Sequence, residues 1–198
     1  MTKFTSSKLL IASSNKGKIN EFIELFKAFD ITIVSATDFS ITEPDENGSS
    51  FIENAEIKAK YYGEITNLPA LADDSGLCVD ALDGAPGIFS ARWAGPNKDF
   101  SIAMHKIQSM LKQHDVRTAR FVCALSLYNP TTKSLETVQG IAEGTISFPA
   151  RGNNGFGYDP IFIPNGYNET FAELSNVIKQ QISHRSKAMV QLINKSFS

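Results

Sequence analysis

The sequence predicts an α/β protein, and three observations at its start support this fold class. A short apolar run at residues 9–12 is followed directly by a polar segment at residues 13–18. Apolar residues then recur at the spacing of one helix face, at positions Ile19, Phe22, Ile23 and Phe26. A second apolar run follows at residues 31–34. Strand, polar turn, helix and strand in this order begin a sheet that is covered by helices.

The next predicted element is a helix over residues 50–63. Ser50 with Glu53 three positions later fits a capping box, in which each residue satisfies a backbone N–H of the other. Within this helix Asn54 and Lys58 lie one turn apart, so they share one face. A short strand at residues 70–72 then ends at two adjacent carboxylates, Asp73 and Asp74.

The remaining elements follow from apolar spacing and from turn residues. Residues 101–111 carry apolar side chains at helical spacing, and a last helix begins near Ser183. Two strands are predicted at residues 120–128 and 135–143, joined by a hairpin at residues 129–133. The sequence contains no internal repeat and no linker, so we expect a single domain over residues 1–198.

Composition limits the function classes. Charged residues make up 20% of the 198 residues, which is typical of a soluble globular protein. The formal net charge is −2, which does not suit a protein that binds duplex nucleic acid through a broad basic face. No run reaches the roughly 18 apolar residues of a membrane span. The two cysteines, Cys78 and Cys123, lie in apolar runs, which favours buried free thiols. We therefore expect a cytoplasmic protein that binds neither membrane nor nucleic acid.

Two polar clusters have the chemistry of a phosphate and metal site. Residues 13–18 lie between a strand and a helix, where free backbone N–H groups, the helix dipole and two lysines favour an anion. The spacing is not that of a Walker A loop, and a solvated helix cap is the alternative. Asp73 and Asp74 offer hard oxygen ligands for Mg²⁺ or a base for an attacking water, with an Asp-rich turn as the alternative.

Two further clusters suit recognition of a planar base. Residues 152–160 hold three glycines with Phe156 and Tyr158, and Asp159 precedes a proline that keeps it extended. A mobile surface loop is the alternative. His184 and Arg185 follow Ser183 at a helix start, where both side chains can donate to oxygens.

Taken together and in order, these segments resemble the Ham1-like family of inosine triphosphate pyrophosphatases. The resemblance runs from about Leu9 to Leu192, and serine replaces the family's usual threonine at Ser13 while keeping the hydroxyl. The matching segments are Ala12-Ser-Ser-Asn15-x-Gly-Lys18, Phe51-x-Glu-Asn-Ala-x-x-Lys-Ala59, Ala72-Asp-Asp-Ser-Gly76, Gly84-x-Pro-Gly87, Ser90-Ala-Arg92, Gly155-Phe-Gly-Tyr-Asp-Pro160 and Ser183-His-Arg185.

The resemblance implies an elongated two-lobed α/β fold with a long central mixed β-sheet flanked by helices, and a cleft between the lobes. It also implies a homodimer that uses Mg²⁺ to hydrolyse ITP, dITP and XTP to the monophosphate and pyrophosphate. The implied role is removal of damaged nucleotides from the precursor pool.

The resemblance also assigns residues to roles. It implies Asp74 as proton acceptor and metal ligand, Ser75 as a substrate contact, and Glu46 as a second metal ligand, with Glu43 as the alternative. The implied triphosphate contacts are Ser13, Ser14, Asn15, Lys16, Gly17 and Lys18. The implied base contacts are Phe156, Gly157, Tyr158, Asp159, Lys179, His184 and Arg185.

Three alternatives stay open at this stage. A Maf-type pyrophosphatase would have a similar fold but would act on modified pyrimidine nucleotides, dTTP or UTP. A nucleotide-binding sensor would bind without turnover, which the intact Asp73–Asp74 pair argues against. An α/β protein without a ligand would leave all four polar clusters unexplained.

Overall fold

The computed structural model of the chain describes residues 4–39 and 41–197. The strands are β1 (Lys8–Ile11), β2 (Thr32–Ser35), β3 (Ala70–Val79), β4 (Thr118–Asn129), β5 (Ser134–Ile146) and β6 (Phe162–Pro164). The α-helices are α1 (Lys16–Phe26), α2 (Phe51–Thr66), α3 (Ser90–Trp93), α4 (Phe100–Met110), α5 (Asn176–Ile182) and α6 (His184–Ser196).

The sheet is mixed, as the family resemblance implies. Within the described residues six strands form one sheet in the order β2-β1-β3-β4-β5-β6. Strand β1 pairs in parallel with β2 and with β3, whereas β5 pairs antiparallel with β6. The parallel pairs need long crossovers, and α1 and α2 supply them. The α/β fold class with a mixed sheet is therefore confirmed.

The chain divides into two compact units. Unit 1 takes the described residues of Met1–Asp74, Cys123–Gly140 and Arg185–Ser198, and unit 2 takes Ser75–Val122 and Ile141–His184. The prediction of a single domain over residues 1–198, and that of an elongated, two-lobed shape with a cleft, stay predictions.

Unit 1 has a core made by one face of α1 and by apolar strand residues. Phe22 and Phe26 of α1 are buried against Leu9 and Ile11 of β1, together with Leu192 of α6. The predicted helical spacing is thus confirmed in part, because Ile23 of the same stripe is 41% exposed.

Unit 2 has its own core, which α4 covers. Ile107 of α4 is fully buried with Leu77 and Val79 of β3. The rings of Phe121 and Phe162 meet edge to face, with centroids 4.7 Å apart. Tyr158 belongs to this core, and Ile178 of α5 packs against it. The core therefore supports the loop before β6 and helix α5, which both carry predicted site residues.

One predicted boundary is wrong in a way that matters for the site. The sequence predicts a strand over residues 70–72 that ends at Asp73, but β3 continues to Val79. Asp73 and Asp74 therefore lie inside a strand, and the alternative of an Asp-rich turn is excluded. The polar run hid the strand because its side chains find buried partners, which apolar patterning cannot reveal.

Two simpler predictions are also tested. Both cysteines are free and buried, as expected. Burial raises the pKa of the Cys123 thiol to about 12. Among the residues that the structure describes, no helix has the length and apolar character needed to cross a membrane.

Candidate active site

The polar segment after β1 caps helix α1. The side-chain oxygen Oδ1 of Asn15 accepts the backbone N–H groups of Gly17 and Lys18, at 2.9 and 3.3 Å. The backbone N–H of Asn15 donates to the hydroxyl of Ser13 at 3.2 Å. Two of the N–H groups that the sequence interpretation counted as free are thus engaged. An anion at this helix end would instead rely on the dipole, on exposed Lys16 and on Lys18.

Asp73 lies at the centre of a buried charge network in unit 1. Its Oδ2 accepts from Lys18 Nζ and from a terminal nitrogen of Arg185, both at 2.9 Å. Arg185 also forms an ion pair with Glu21. Burial by itself would raise the pKa of Asp73, but the charges of Lys18 and Arg185 hold it well below its usual range. Asp73 is therefore ionised, and it fixes the position of Lys18.

Asp74 has different neighbours. Asn54 Nδ2 donates to Asp74 Oδ2 at 3.1 Å, and Lys58 Nζ lies 3.9 Å from Asp74 Oδ1. Burial raises the pKa of Asp74; Lys58 and Lys18 oppose this rise, and the charge of Glu46 adds to it. A carboxylate with a raised pKa is a stronger proton acceptor than an ordinary one, which suits a general base.

Lys58 connects Asp74 to a second carboxylate. Its Nζ lies 2.5 Å from Glu46 Oε1, and its side chain is only 13% exposed. Burial acts to lower the pKa of Lys58, but the charges of Asp74, Asp73 and Glu46 outweigh burial and raise it. One ammonium group is thus shared by two carboxylates.

The structure distinguishes the two candidate acidic residues of the loop before α2. Glu46 contacts Lys58, whereas the charge of Glu43 acts on Tyr62, whose pKa is raised by burial first and by Glu43 second. Tyr62 lies one turn further along α2 than Lys58. Glu46 therefore belongs to the group around Asp74.

The donor set around Asp74 fits a magnesium ion that is bound together with phosphate. No group of three or more His, Cys, Asp or Glu side chains that could hold a metal ion occurs among the described residues. Mg²⁺ commonly takes only one or two protein carboxylates and completes its coordination with water and substrate phosphates. Asp74 and Glu46 are two hard oxygen donors within reach of one cation, since Lys58 contacts Glu46 and lies close to Asp74.

A second cluster lies in unit 2, in the loop before β6. Asp159 Oδ2 accepts from Lys179 Nζ at 2.7 Å and from the backbone N–H of Phe156 at 2.8 Å. Both charged side chains are buried. Gly155 has a φ of +73°, and a Cβ there would lie 2.1 Å from Asp159 Oδ2. Only glycine fits this turn, so the loop has a defined shape.

Phe156 and Tyr158 of this loop differ in exposure. Phe156 is half-buried, and Lys179 Nζ lies 4.8 Å from its ring centroid, which is a cation–π distance. Tyr158 is buried, donates to the backbone oxygen of Ser90 at 2.8 Å and packs edge to face on Phe100. Burial raises the pKa of the Tyr158 hydroxyl. Tyr158 thus anchors the loop, and Phe156 is the aromatic face available for stacking on a base.

His184 and Ser75 complete the predicted set. His184 begins α6, is buried and stacks on Phe121, with ring centroids 4.8 Å apart and an interplanar angle of 12°. Ser75 follows Asp74 within β3 and is half-buried. Ser14 is exposed beside the α1 cap, and Gly157 has a φ of +70° in the loop.

Sequence reasoning assigned no role to three residues that the structure brings to these clusters: Glu21, Asn54 and Lys58. Asn54 and Lys58 had a signal, since they share a helix face that also carries apolar positions. Glu21 had none, because an acidic residue one turn after Lys18 is ordinary on an exposed helix face. Asp73 was predicted together with Asp74 as a metal ligand or base, whereas the structure shows it bound to Lys18 and Arg185.

The chain is similar to known proteins over nearly its whole length. The model of the Ham1 family matches residues 9–195. A "dITP/XTP pyrophosphatase" from Rhodospirillum centenum is 49% identical over 199 residues, which covers 99% of this chain and 98% of that protein. One from Zymomonas mobilis is 49% identical, with coverage of 94% and 90%. The solved structure of the Staphylococcus aureus Ham1 protein has a TM-score of 0.85 and 39% identity, with coverage of 95% and 97%.

Proposed function

The chain belongs to the Ham1 family, and from this premise we propose that it is a nucleoside-triphosphate pyrophosphatase that acts on non-canonical purine nucleotides. It hydrolyses dITP, ITP and XTP to the monophosphate and pyrophosphate. The observation that carries this proposal is the likeness, over nearly the full length of both chains, to relatives named dITP/XTP pyrophosphatase. The biological result is removal of these nucleotides from the precursor pool.

Asp74 is the general base of the proposed reaction. It takes a proton from a water molecule whose oxygen attacks the α-phosphorus. A new bond forms between that oxygen and the α-phosphorus, and the bond to the bridging oxygen of the β-phosphate breaks, so pyrophosphate leaves. The raised pKa of Asp74 and the hydrogen bond from Asn54 support this role, because they give a proton acceptor of fixed orientation.

Negative charge builds up on the phosphate oxygens during attack, and cations of unit 1 stabilise it. We assign the triphosphate to residues 13–18, with Lys16 and Lys18 as its cationic contacts. The network through Asp73 supports this role of Lys18, since it holds the ammonium in place before substrate arrives. Asp74 and Glu46, together with the substrate phosphates, would hold Mg²⁺, which when bound would help to neutralise the charge on the leaving pyrophosphate.

We assign the purine base to Phe156, Gly157, Asp159 and Lys179, with Ser75, His184 and Arg185 as further substrate contacts. His184 and Arg185 can donate hydrogen bonds to the 6-keto oxygen of hypoxanthine or xanthine. In adenine the same position carries an amino group, which is itself a donor and cannot accept these bonds. Each buried donor left without a partner costs on the order of 1–3 kcal/mol, so the mismatch disfavours ATP. The half-buried ring of Phe156 supports stacking on the base.

We also propose where the enzyme acts and in which oligomeric state. A substrate drawn from the nucleotide precursor pool calls for a cytoplasmic enzyme, and we propose a homodimer because twofold oligomers are the commonest kind. The formal net charge of −2 supports a small-molecule substrate over nucleic acid.

Pyrophosphate release from dITP, ITP, XTP, GTP, ATP and dTTP tests the proposal, with Mg²⁺ present and at equal low nucleotide concentrations. We expect strong release from dITP, ITP and XTP, and loss of release when EDTA removes the metal. Release from dTTP alone would move the assignment to a Maf-type enzyme. A folded protein that binds dITP but releases no pyrophosphate would be a nucleotide sensor.

A further inference from the structure

Asn54 is a fully buried amide that makes one hydrogen bond in each direction. Its Nδ2 donates to Asp74 Oδ2 at 3.1 Å, and its Oδ1 accepts the backbone N–H of Gly48 at 2.8 Å. The exposed fraction of its side chain is 0%. It lies on helix α2, where asparagine has a lower helix propensity than alanine. A buried asparagine of this kind is retained for its hydrogen bonds rather than for packing.

The loop before α2 lies antiparallel along the start of the helix. Glu46 contacts Lys58 at 2.5 Å, and Gly48 contacts Asn54 at 2.8 Å. Next in order, the backbone N–H and the hydroxyl of Ser49 donate to Glu53 Oε2 at 2.6 and 2.9 Å. Three side chains of one helix thus hold three successive points of the loop that carries Glu46.

At the middle of these three points, Gly48, the loop leaves no room for a side chain. A Cβ at Gly48 would lie 2.7 Å from Asn54 Oδ1 and 2.8 Å from Glu53 Cβ, so no side chain fits there without displacing the loop or the helix. The glycine therefore permits the short contact between the loop backbone and the Asn54 amide.

Lys58 and Asn54 both connect this loop to Asp74, but they do so differently. The ammonium of Lys58 can donate in three directions and lies 3.9 Å from Asp74 Oδ1, so it supplies charge and little directional constraint. The planar amide of Asn54 has its oxygen on one side and its nitrogen on the other, so the two bonds together fix its orientation.

We propose that Asn54 is a positioning residue for the reaction, a role that rests on the function proposed above. Through one rigid amide it sets the orientation of the Asp74 carboxylate and the position of the loop that carries Glu46. The two acidic residues are thereby held in one arrangement before substrate binds.

Two substitutions at position 54 separate the two hydrogen bonds. Asn54→Asp keeps the size of the side chain and an oxygen for the Gly48 N–H, but it turns an oxygen toward Asp74 in place of the donor. Asn54→Leu is similar in size and removes both bonds. Asn194→Asp makes the same charge change at an exposed position of α6 and serves as the matched control.

We expect kcat for dITP to fall about 10- to 100-fold in both variants. For Asn54→Asp we expect KM to stay within roughly threefold of the wild-type value, because the substrate contacts are unchanged. Hydrogen exchange at the Gly48 amide should become faster in Asn54→Leu but not in Asn54→Asp. The Mg²⁺ concentration for half-maximal activity should rise in Asn54→Leu, and Asn194→Asp should match the wild type throughout.

The proposal is overturned if both variants fold and keep the wild-type kcat and Mg²⁺ dependence, whatever happens to their melting temperatures. If Asn54→Leu does not fold, kcat and KM of Asn54→Asp decide. If neither folds, Gly48→Ala tests the contact from the loop side: a raised Mg²⁺ requirement supports the proposal, and an unchanged one overturns it. Absence of pyrophosphate release by the wild type would instead refute the proposed function, and Gly48 exchange would still decide whether Asn54 holds the loop.

Discussion

Asp73 and Asp74 are consecutive residues of β3, yet their pKa values move in opposite directions. Successive side chains of a strand point to opposite faces. Asp73 therefore meets Lys18 and Arg185, whose charges outweigh burial and lower its pKa, whereas burial dominates at Asp74 and raises it. One strand thus supplies a permanently charged anchor and, next to it, a carboxylate that is suited to accept a proton.

Asp74→Asn should abolish turnover while sparing the fold. Loss of a general base costs about 10²- to 10⁴-fold in kcat, so we expect a fall of at least this size in pyrophosphate release from dITP. Binding of dITP without metal should persist, because the base and most phosphate contacts remain. Asp115→Asn, at an exposed position, is the matched control. Wild-type turnover in Asp74→Asn would refute the assignment of the base.

The same variant should be at least as stable as the wild type at pH 7. The folded pKa of Asp74 is above its ordinary value, so at neutral pH its ionised form is less favourable in the folded chain than in the unfolded chain. This unfavourable contribution disappears as the pH falls through the folded pKa. Thermal melts at pH 7 should therefore show an equal or higher Tm for Asp74→Asn, and a clearly lower Tm would contradict this sign.

Asp73→Asn should instead destabilise the protein. It removes the carboxylate that buried Arg185 and half-buried Lys18 share, and breaking a buried ion pair such as Arg185–Asp73 costs about 3–5 kcal/mol. The folded pKa of Asp73 is below its unfolded value, so its contribution is complete above the unfolded value of about 3.8 and is lost only at lower pH. Urea denaturation should show the full deficit from pH 5 to 8. A variant as stable as the wild type would mean that Lys18 and Arg185 find other partners.

Much of this molecule could be predicted from the sequence, and the errors share one cause. Apolar spacing predicted α1 and the β4–β5 pair within a few residues, because these elements bury apolar side chains, and the capping pattern at Ser50 predicted α2. The capping box was half right: Glu53 N–H does donate to Ser50 Oγ, but the Glu53 carboxylate accepts from Ser49. Apolar patterning failed where polar groups are buried against each other, as at Asp73 and Asp74 in the middle of β3. It also gave no reason to pair Arg185 with Asp73, which lies 112 positions earlier.

Arg185→Ala should narrow the preference for ITP over ATP. If its guanidinium contributes a donor toward the 6-keto group, the ratio of the two kcat/KM values should fall about tenfold or more, corresponding to one lost discriminating hydrogen bond. The ratio is the right measurement because the variant also disrupts the ion pairs with Asp73 and Glu21, which affects both substrates alike. Lys195→Ala, which removes a surface cation of α6, is the control. An unchanged ratio would restrict Arg185 to holding Asp73.

Lys179 and Asp159 should behave as a coupled pair in unit 2. Their charged atoms lie 2.7 Å apart and are buried, so Lys179→Met or Asp159→Asn alone leaves one charge without its partner and should cost about 3–5 kcal/mol of stability. The double variant should be more stable than the sum of the single effects, because it leaves no buried charge unpaired. Asp159 also accepts the Phe156 N–H, so both single variants should raise KM for dITP more than they lower kcat. Urea denaturation of all four proteins gives the coupling energy, and strictly additive losses would show that the pair does not hold this loop.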